Sequence, residues 1–269
     1  MSTYLRSSRA LFRFSGPDAP KLLFDVVTGR LVAEDGPAVW WALLSPQGKI
    51  QAEGLSVWRD GAFWLDVHVD MADDFLRRMK LYRLRAKVEI EDLRGTHVVG
   101  WSDDAAAGDA DPRGIGARLV AEHGVDWPAD ETPFAAARIA RGVVELGQDF
   151  VANELFPHDI GMDLLHGVDL KKGCYVGQEV VSRMEHRGTA RRRPVIVTGI
   201  PVGAVAGTPI LAGEREAGLV GYVTGGSAVG IVRLDRITDG VTLSVGGSPV
   251  TLALPDWATY RFGESPRDG

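Results

Sequence analysis

One thiol sits in the most chemically loaded stretch of the chain, Lys171-Lys172-Gly173-Cys174-Tyr175-Val176-Gly177-Gln178-Glu179. Ammonium groups beside a cysteine favour thiolate over thiol, and the flanking glycines permit backbone geometries that expose the sulfur or let a ligand approach closely. That combination predicts nucleophilic, redox or metal-donor work. Cys174 also fits a small apolar filler, because free cysteine is often buried, and the residues alone leave both readings open. A Cys–His pair needs a histidine within hydrogen-bonding reach, and His158, His166 and His186 are nearest in sequence, without diagnostic spacing. Cysteine and histidines match no common zinc or iron pattern, so no permanent metal is predicted.

Phe156-Pro157-His158-Asp159 reads as a turn whose aspartate accepts backbone hydrogen bonds, or as the edge of a ligand pocket. From Lys171 to Arg193, seven Lys/Arg face Glu179 and Glu185, which makes the segment +5; with −6 overall, the rest of the chain is −11. Such a field favours an anionic partner. Arg187 to Arg193 suits phosphates or a polyglutamate tail, or is a solvated connector. Nucleic acid is not the expected partner, because no aromatics interleave with these arginines to stack bases. Gly114-Ile115-Gly116 lacks the following glycine and helix of a dinucleotide fingerprint.

The elements that must hold these groups are those of an α+β protein. The sequence predicts a first helix capped by Ser15, with Pro17 in its first turn and Gly29 closing it. Val39–Leu44, Ile50–Trp58 and Ala62–Val67 read as an antiparallel meander, Met71–Tyr82 as a helix, with short strands near Val88 and Val98. Ser102 to Arg113 reads as a surface loop, Thr132–Gly142 as a helix, and Val151 to Gly188 as irregular chain. Beyond Arg193-Pro194, Val/Ile/Thr runs cut by glycines at 195–198, 219–224, 241–245 and 249–254 are the pattern of a small β-barrel. A boundary is placed near residue 190, giving regions 1–190 and 191–269, with Gly263 to Gly269 a frayed tail. No run approaches the roughly 20 apolar residues of a membrane span, and one cysteine cannot form an internal disulfide. A soluble protein without a signal peptide, cytoplasmic and apart from membranes, is expected.

Lys172-Gly173-Cys174-Tyr175-Val176-Gly177-Gln178-Glu179 resembles the K-G-C-Y-x-G-Q-E signature of the YgfZ/GcvT-like folate-binding proteins, whose mitochondrial relatives serve iron–sulfur assembly. Ser15-Gly16-Pro17-Asp18-Ala19, Leu43-Leu44-Ser45-Pro46-Gln47-Gly48-Lys49, Asp111-Pro112-Arg113 and Arg187-Gly188-Thr189-Ala190-Arg191-Arg192 follow in the order of that family. The resemblance implies the aminomethyltransferase fold of the glycine cleavage system: α+β modules around a central channel that binds tetrahydrofolate, plus a C-terminal β-barrel. Where the aminomethyltransferase carries paired acids, this chain reads Ala52-Glu53, so aminomethyl transfer is not expected. At Arg138-Ile139-Ala140 an acid common among relatives is also missing.

The implied role is a folate-binding accessory protein that supports iron–sulfur cluster assembly or repair through Cys174, with iron–sulfur client or assembly proteins as partners. Lys172 supports the thiolate in this reading, while Tyr175, Gln178 and Glu179 shape the loop or touch the ligand. Glu53, Arg138 and Arg187 are the candidate folate contacts. The alternatives are a folate-dependent one-carbon transferase using Glu53 as its base, and an RNA-modification-associated protein using the basic run.

Overall fold

A computed structural model describes residues 2–188 and 190–264. Strand β1 (Thr3–Leu5) leads into β2 (Arg9–Ser15) and helix α1 (Ala19–Val26). The meander follows as β3 (Val39–Leu44), β4 (Ile50–Arg59) and β5 (Ala62–His68), then helix α2 (Ala72–Arg83). Next come β6 (Glu89–Asp92), β7 (His97–Ser102), β8 (Asp109–Ala110), β9 (Ala117–Glu122) and helix α3 (Thr132–Ala140). The meander and helices α2 and α3 lie where periodicity predicts them.

Strands β3-β4-β5-β2-β6 form one sheet, and β1-β7-β9-β8 a second. On the first, alternate residues separate two interiors. Trp41, Leu43 and Ala52 face α1 and α2, whereas Trp40, Ala42 and Leu55 face the centre of the molecule. Because Glu53 pairs with Ala42 across the ladder, it also faces the centre, and Ala52 faces away.

The first helix begins later than its punctuation suggests. Ser15 is the last residue of β2, Asp18 occupies the N-cap position, and Pro20 rather than Pro17 lies in the first helical turn. Val27, not Gly29, is the C-cap. Strand β2 is an element that the sequence pattern above does not include. Its period is two, with Ala10, Phe12 and Phe14 in the core against the helices and the arginines on the opposite face.

Helix α4 (Gln178–Arg187) replaces the end of the supposed irregular stretch. It buries only Val181, so the apolar stripe by which helices are read is nearly absent. The barrel comprises β10 (Arg192–Thr198), β11 (Pro209–Ala212), β12 (Arg215–Val220), β13 (Ser227–Arg233), β14 (Leu243–Val245), β15 (Ser248–Pro249) and β16 (Thr251–Ala253). Its order is β15-β14-β11-β12-β13-β10-β16. The two edge strands are separated in sequence by Val250 alone, which rolls the sheet nearly closed around Val195, Val197, Ile210 and Val232. Residues 265–269 of the supposed tail lie outside the described residues. Among the described residues, no helix is long and apolar enough to cross a membrane.

Candidate functional site

Cys174 is exposed, which removes the reading of it as a buried filler. The chain around it is fixed by its neighbours. Lys172 is buried, and its Nζ donates to the carbonyls of Phe24 at 2.8 Å, Gly29 at 3.0 Å and Val27. Those oxygens belong to the end of α1 and the chain just after it, where helical carbonyls lack intrahelical partners and a cation is favoured. Burial pushes the Lys172 ammonium down to about 8, against the opposing pull of Asp169 and Asp25. The assignment of Lys172 as supporter of the thiolate is therefore corrected. Its three donors are committed to α1, and it fastens the loop.

The other side of the loop is fastened by shape. Gly177 has φ +80°, and a Cβ there would lie 2.7 Å from the carbonyl oxygen of Ser45. Gly48, at φ +79°, would place its own Cβ 2.9 Å from that of Val180. The Ser45-Pro46-Gln47-Gly48 turn and the cysteine loop thus interlock through two glycines, each in a conformation that L side chains rarely adopt. Tyr175 points inward: its ring lies 5.1 Å from Lys172 Nζ, burial raises the pKa of its hydroxyl, and that hydroxyl has no partner among the described residues. Gln178 opens α4, its backbone N–H donating to the Tyr175 carbonyl at 3.2 Å. Glu179 is exposed and pairs with Arg183 at 2.7 Å, one helical turn on.

Glu53 and Arg138 do not join Cys174. Glu53 is buried, accepting from Trp40 Nε1 at 2.7 Å on Oε2 and from Arg9 Nη1 at 3.3 Å on Oε1, with Arg113 Nη1 at 3.9 Å. Both oxygens are engaged, so Glu53 is a structural hydrogen-bond acceptor rather than a free base. Arg138 is equally committed, donating to Asp149 at 2.6 and 3.2 Å and to the Val143 carbonyl. Asp149 in turn accepts from the backbone N–H of Glu145 and Tyr222, so Arg138 ties α3 to the barrel rather than to a ligand. The supposed surface loop ends in buried residues, with Arg113 paired twice to Asp111 and stacked 5.2 Å from the Trp40 ring centre. Arg187 is exposed in the last turn of α4 and lines neither of the larger clefts described below.

Glu145 is the residue of this network that sequence reasoning passed over. Burial alone would raise its carboxyl, but Arg6, Arg9 and Arg138 together hold it down to about 2. Arg6 Nη2 donates to it at 2.6 Å, and Arg9 Nη1 lies 3.4 Å away. Arg6 and Arg9 lie more than a hundred residues away in sequence, and no local spacing announces them.

The space left between the modules, beside Arg9, Trp101, Arg113 and Glu145, is a cavity of about 20 Å³. That holds a water molecule and not a pterin. A larger cleft of about 300 Å³ lies where Phe150 and Leu155 meet the barrel, rimmed by Arg191, Arg192, Arg233 and Arg236. Asp149, Glu154 and Glu216 also line it, so arginines and carboxylates share an apolar floor in a cleft of the size that holds small-molecule ligands. A third, of about 410 Å³, is lined by His158, Asp163, Glu185 and Arg193.

In a comparison with solved structures, the glycine cleavage system aminomethyltransferase T from Bartonella henselae superposes with a TM-score of 0.72, covering 97% of this chain and 87% of that one at 15% identity. The chain has the aminomethyltransferase fold. Residues 191–260 match the family described as CAF17, C-terminal beta-barrel domain. Three similar curated proteins are iron–sulfur cluster assembly factor IBA57 homologues, mitochondrial. That of Pyricularia oryzae is 32% identical over 69% of this chain and 54% of its own length. The Chaetomium globosum protein is 29% identical, with 79% and 59% covered, and the Mycosarcoma maydis protein 31%, with 75% and 57% covered. The chain therefore spans little more than half the length of these relatives. Their names also overturn the cytoplasmic expectation, because they are mitochondrial proteins. A lone cysteine excludes an internal disulfide, and that is compatible with more than one reducing compartment.

Proposed function

We propose that this chain is an accessory factor in iron–sulfur cluster assembly, with Cys174 as the residue that meets cluster or partner. The observation that carries the reading is an exposed sulfur on a loop whose flanks are pinned by Lys172 and Gly177. A loop fastened on both sides presents its one thiol in a set position without ordering cost at the moment of encounter. The named function of the IBA57 homologues agrees with it. Assembly or client proteins are the partners this role requires. The finer likeness to YgfZ rests on the K-G-C-Y-x-G-Q-E stretch.

A reduced folate belongs to the proposal as a ligand of the junction cleft. Phe150 and Leu155 would face its rings, and Arg191 its carboxylates, with Arg192 held alongside by Asp159. When bound, tetrahydrofolate supplies a one-carbon carrier. The transferase alternative loses its base, because Glu53 is held by Trp40 and Arg9. The RNA-binding alternative loses part of its charge, because Arg192 and Arg193 pair with Asp159 and Asp163.

The test is complementation of a strain lacking the chain, with iron–sulfur enzyme activities as readout. Wild-type protein is expected to restore them and Cys174→Ser to fail at equal abundance. Full rescue by the serine variant would sink the proposal. Calorimetric titration with tetrahydrofolate tests the ligand separately, and Arg191→Ala combined with Arg192→Ala is expected to weaken any binding seen.

A further inference from the structure

His158, Asp163 and Glu185 have no common spacing in sequence, yet each offers a ligand atom within 4.8 Å of the others. His158 stands in the short 3-10 turn Pro157–Ile160, fixed by Asp159, whose Oδ2 accepts from the Phe156 backbone N–H at 3.0 Å. Glu185 comes from α4, and its Oε2 lies 3.2 Å from His158 Nε2. Arg193 Nη1 donates both to Asp163 Oδ1 at 2.7 Å and to the His158 carbonyl at 2.9 Å, which orients the aspartate beside the imidazole.

We propose that these three side chains form a transit site for a divalent transition-metal ion, which in the setting proposed above is ferrous iron. The choice of iron rests on the cluster-assembly reading, whereas the geometry does not. The imidazole is 1% exposed and its Nδ1 has no partner among the described residues, so its polar contact is the one made through Nε2 at the cluster. An imidazole with two carboxylates suits manganese, iron or zinc in preference to magnesium or calcium, which take oxygen ligands. Two carboxylates against one guanidinium leave a net negative charge for a dication. Ligands about 2.1 Å from one ion lie no more than roughly 4.2 Å apart, so the site must tighten slightly. Glu185, with its side chain 41% exposed, has the freedom to do this. The adjoining cavity of about 410 Å³ gives the ion an entry and leaves room for water at the remaining positions.

Anaerobic calorimetric titration of the full chain with ferrous sulfate, in parallel with magnesium sulfate, tests the site. One ferrous ion is expected to bind, with magnesium much weaker, and Glu185→Gln and Asp163→Asn are each expected to weaken it by at least about tenfold. Thermal melts of both variants keep loss of binding apart from loss of fold, and Glu185→Gln changes the more exposed ligand. Absence of ferrous binding, equal affinity for magnesium, or undiminished binding by folded Glu185→Gln overturns the inference. Cys174→Ser is expected to bind ferrous ion like wild type, and loss of binding in it would also overturn the site. A chain that binds ferrous ion while its serine variant fully supports cluster enzymes keeps the site and loses the functional reading. A chain that binds none while Cys174 remains essential does the reverse.

Discussion

Between the two α+β sheets, guanidinium and carboxylate groups stand in closed pairs. Along the cysteine loop, by contrast, buried groups hold one exposed sulfur outward. Both regions are rich in residues that sequence reasoning offers as catalytic. In the centre, Glu53, Arg138 and Glu145 are engaged with Arg9, Trp40, Asp149 and Arg6, around a cavity no larger than about 20 Å³. On the loop, Lys172 and Gly177 are engaged and Cys174 is not. Charge and burial mark a structural knot in the first region. In the second, the chemistry lies in the group the surroundings leave alone.

The contrast breaks most visibly at Glu145. Glu145→Ala leaves Arg6, Arg9 and Arg138 short of a buried anion, and removing one member of such a set costs about 3–5 kcal/mol. Urea denaturation is expected to show that loss, and a change below about 1 kcal/mol would mean that the centre is not the knot described. The same carboxylate sets an acid limit. Its folded pKa of about 2 lies below the 4.5 of an unperturbed glutamate, so its contribution is complete above pH ~4.5 and is lost as pH falls through about 2. The shift is worth on the order of 3 kcal/mol. Glu145→Gln should therefore flatten the stability profile across that range.

At Lys172 the two regions can be compared directly, since a buried cation here serves a surface loop. Lys172→Met keeps the apolar stem but deprives the carbonyls of Phe24, Val27 and Gly29 of their donor, at a cost of about 1–3 kcal/mol. Proteolysis of the loop between residues 170 and 177 should quicken more than the melting temperature falls. Gly177→Ala acts from the other flank. A methyl 2.7 Å from the Ser45 carbonyl oxygen, on a residue at φ +80°, costs about 1–3 kcal/mol. If the pinned loop is what function needs, this variant fails in complementation even at temperatures where it is folded.

How much of this was readable differs between the regions for a physical reason. The meander declares itself because its strands are apolar runs rich in aromatic and branched residues, buried on both faces and bounded by turn residues such as Ser45-Pro46-Gln47-Gly48. Helix α4 does not, because a helix that buries only Val181 has little stripe to show. The cysteine loop was visible as an unusual run of residues, but its fastening was not. Lys172 reaches carbonyls 143 to 148 positions away, and backbone acceptors leave no trace in residue identity. Glu53 and Arg138 enter as folate contacts through the resemblance, whereas in the structure Glu53 is engaged by Trp40 and Arg9 and Arg138 by Asp149, pairings that residue identity alone does not announce. His158, Asp163 and Glu185 likewise meet only once α4 is folded against the 3-10 turn.

The smallest expected change in stability belongs to the residue expected to matter most. Cys174 is exposed, so Cys174→Ser removes no buried contact and should move stability by no more than about 0.5 kcal/mol. Serine keeps the size of the side chain but lacks an ionisable thiol near neutral pH, so it isolates chemistry from packing. The informative comparison is with Lys172→Met, which leaves the thiol in place and disturbs its support. If both fail in complementation, and only the methionine variant is destabilised in thermal melts, the loop works as a fixed mount for a reactive sulfur. If the serine variant is destabilised by several degrees, the sulfur makes a packing contact that the structure does not show. If Lys172→Met loses stability yet complements fully, the thiol needs no fixed position, and the pinning of the loop serves α1 rather than Cys174.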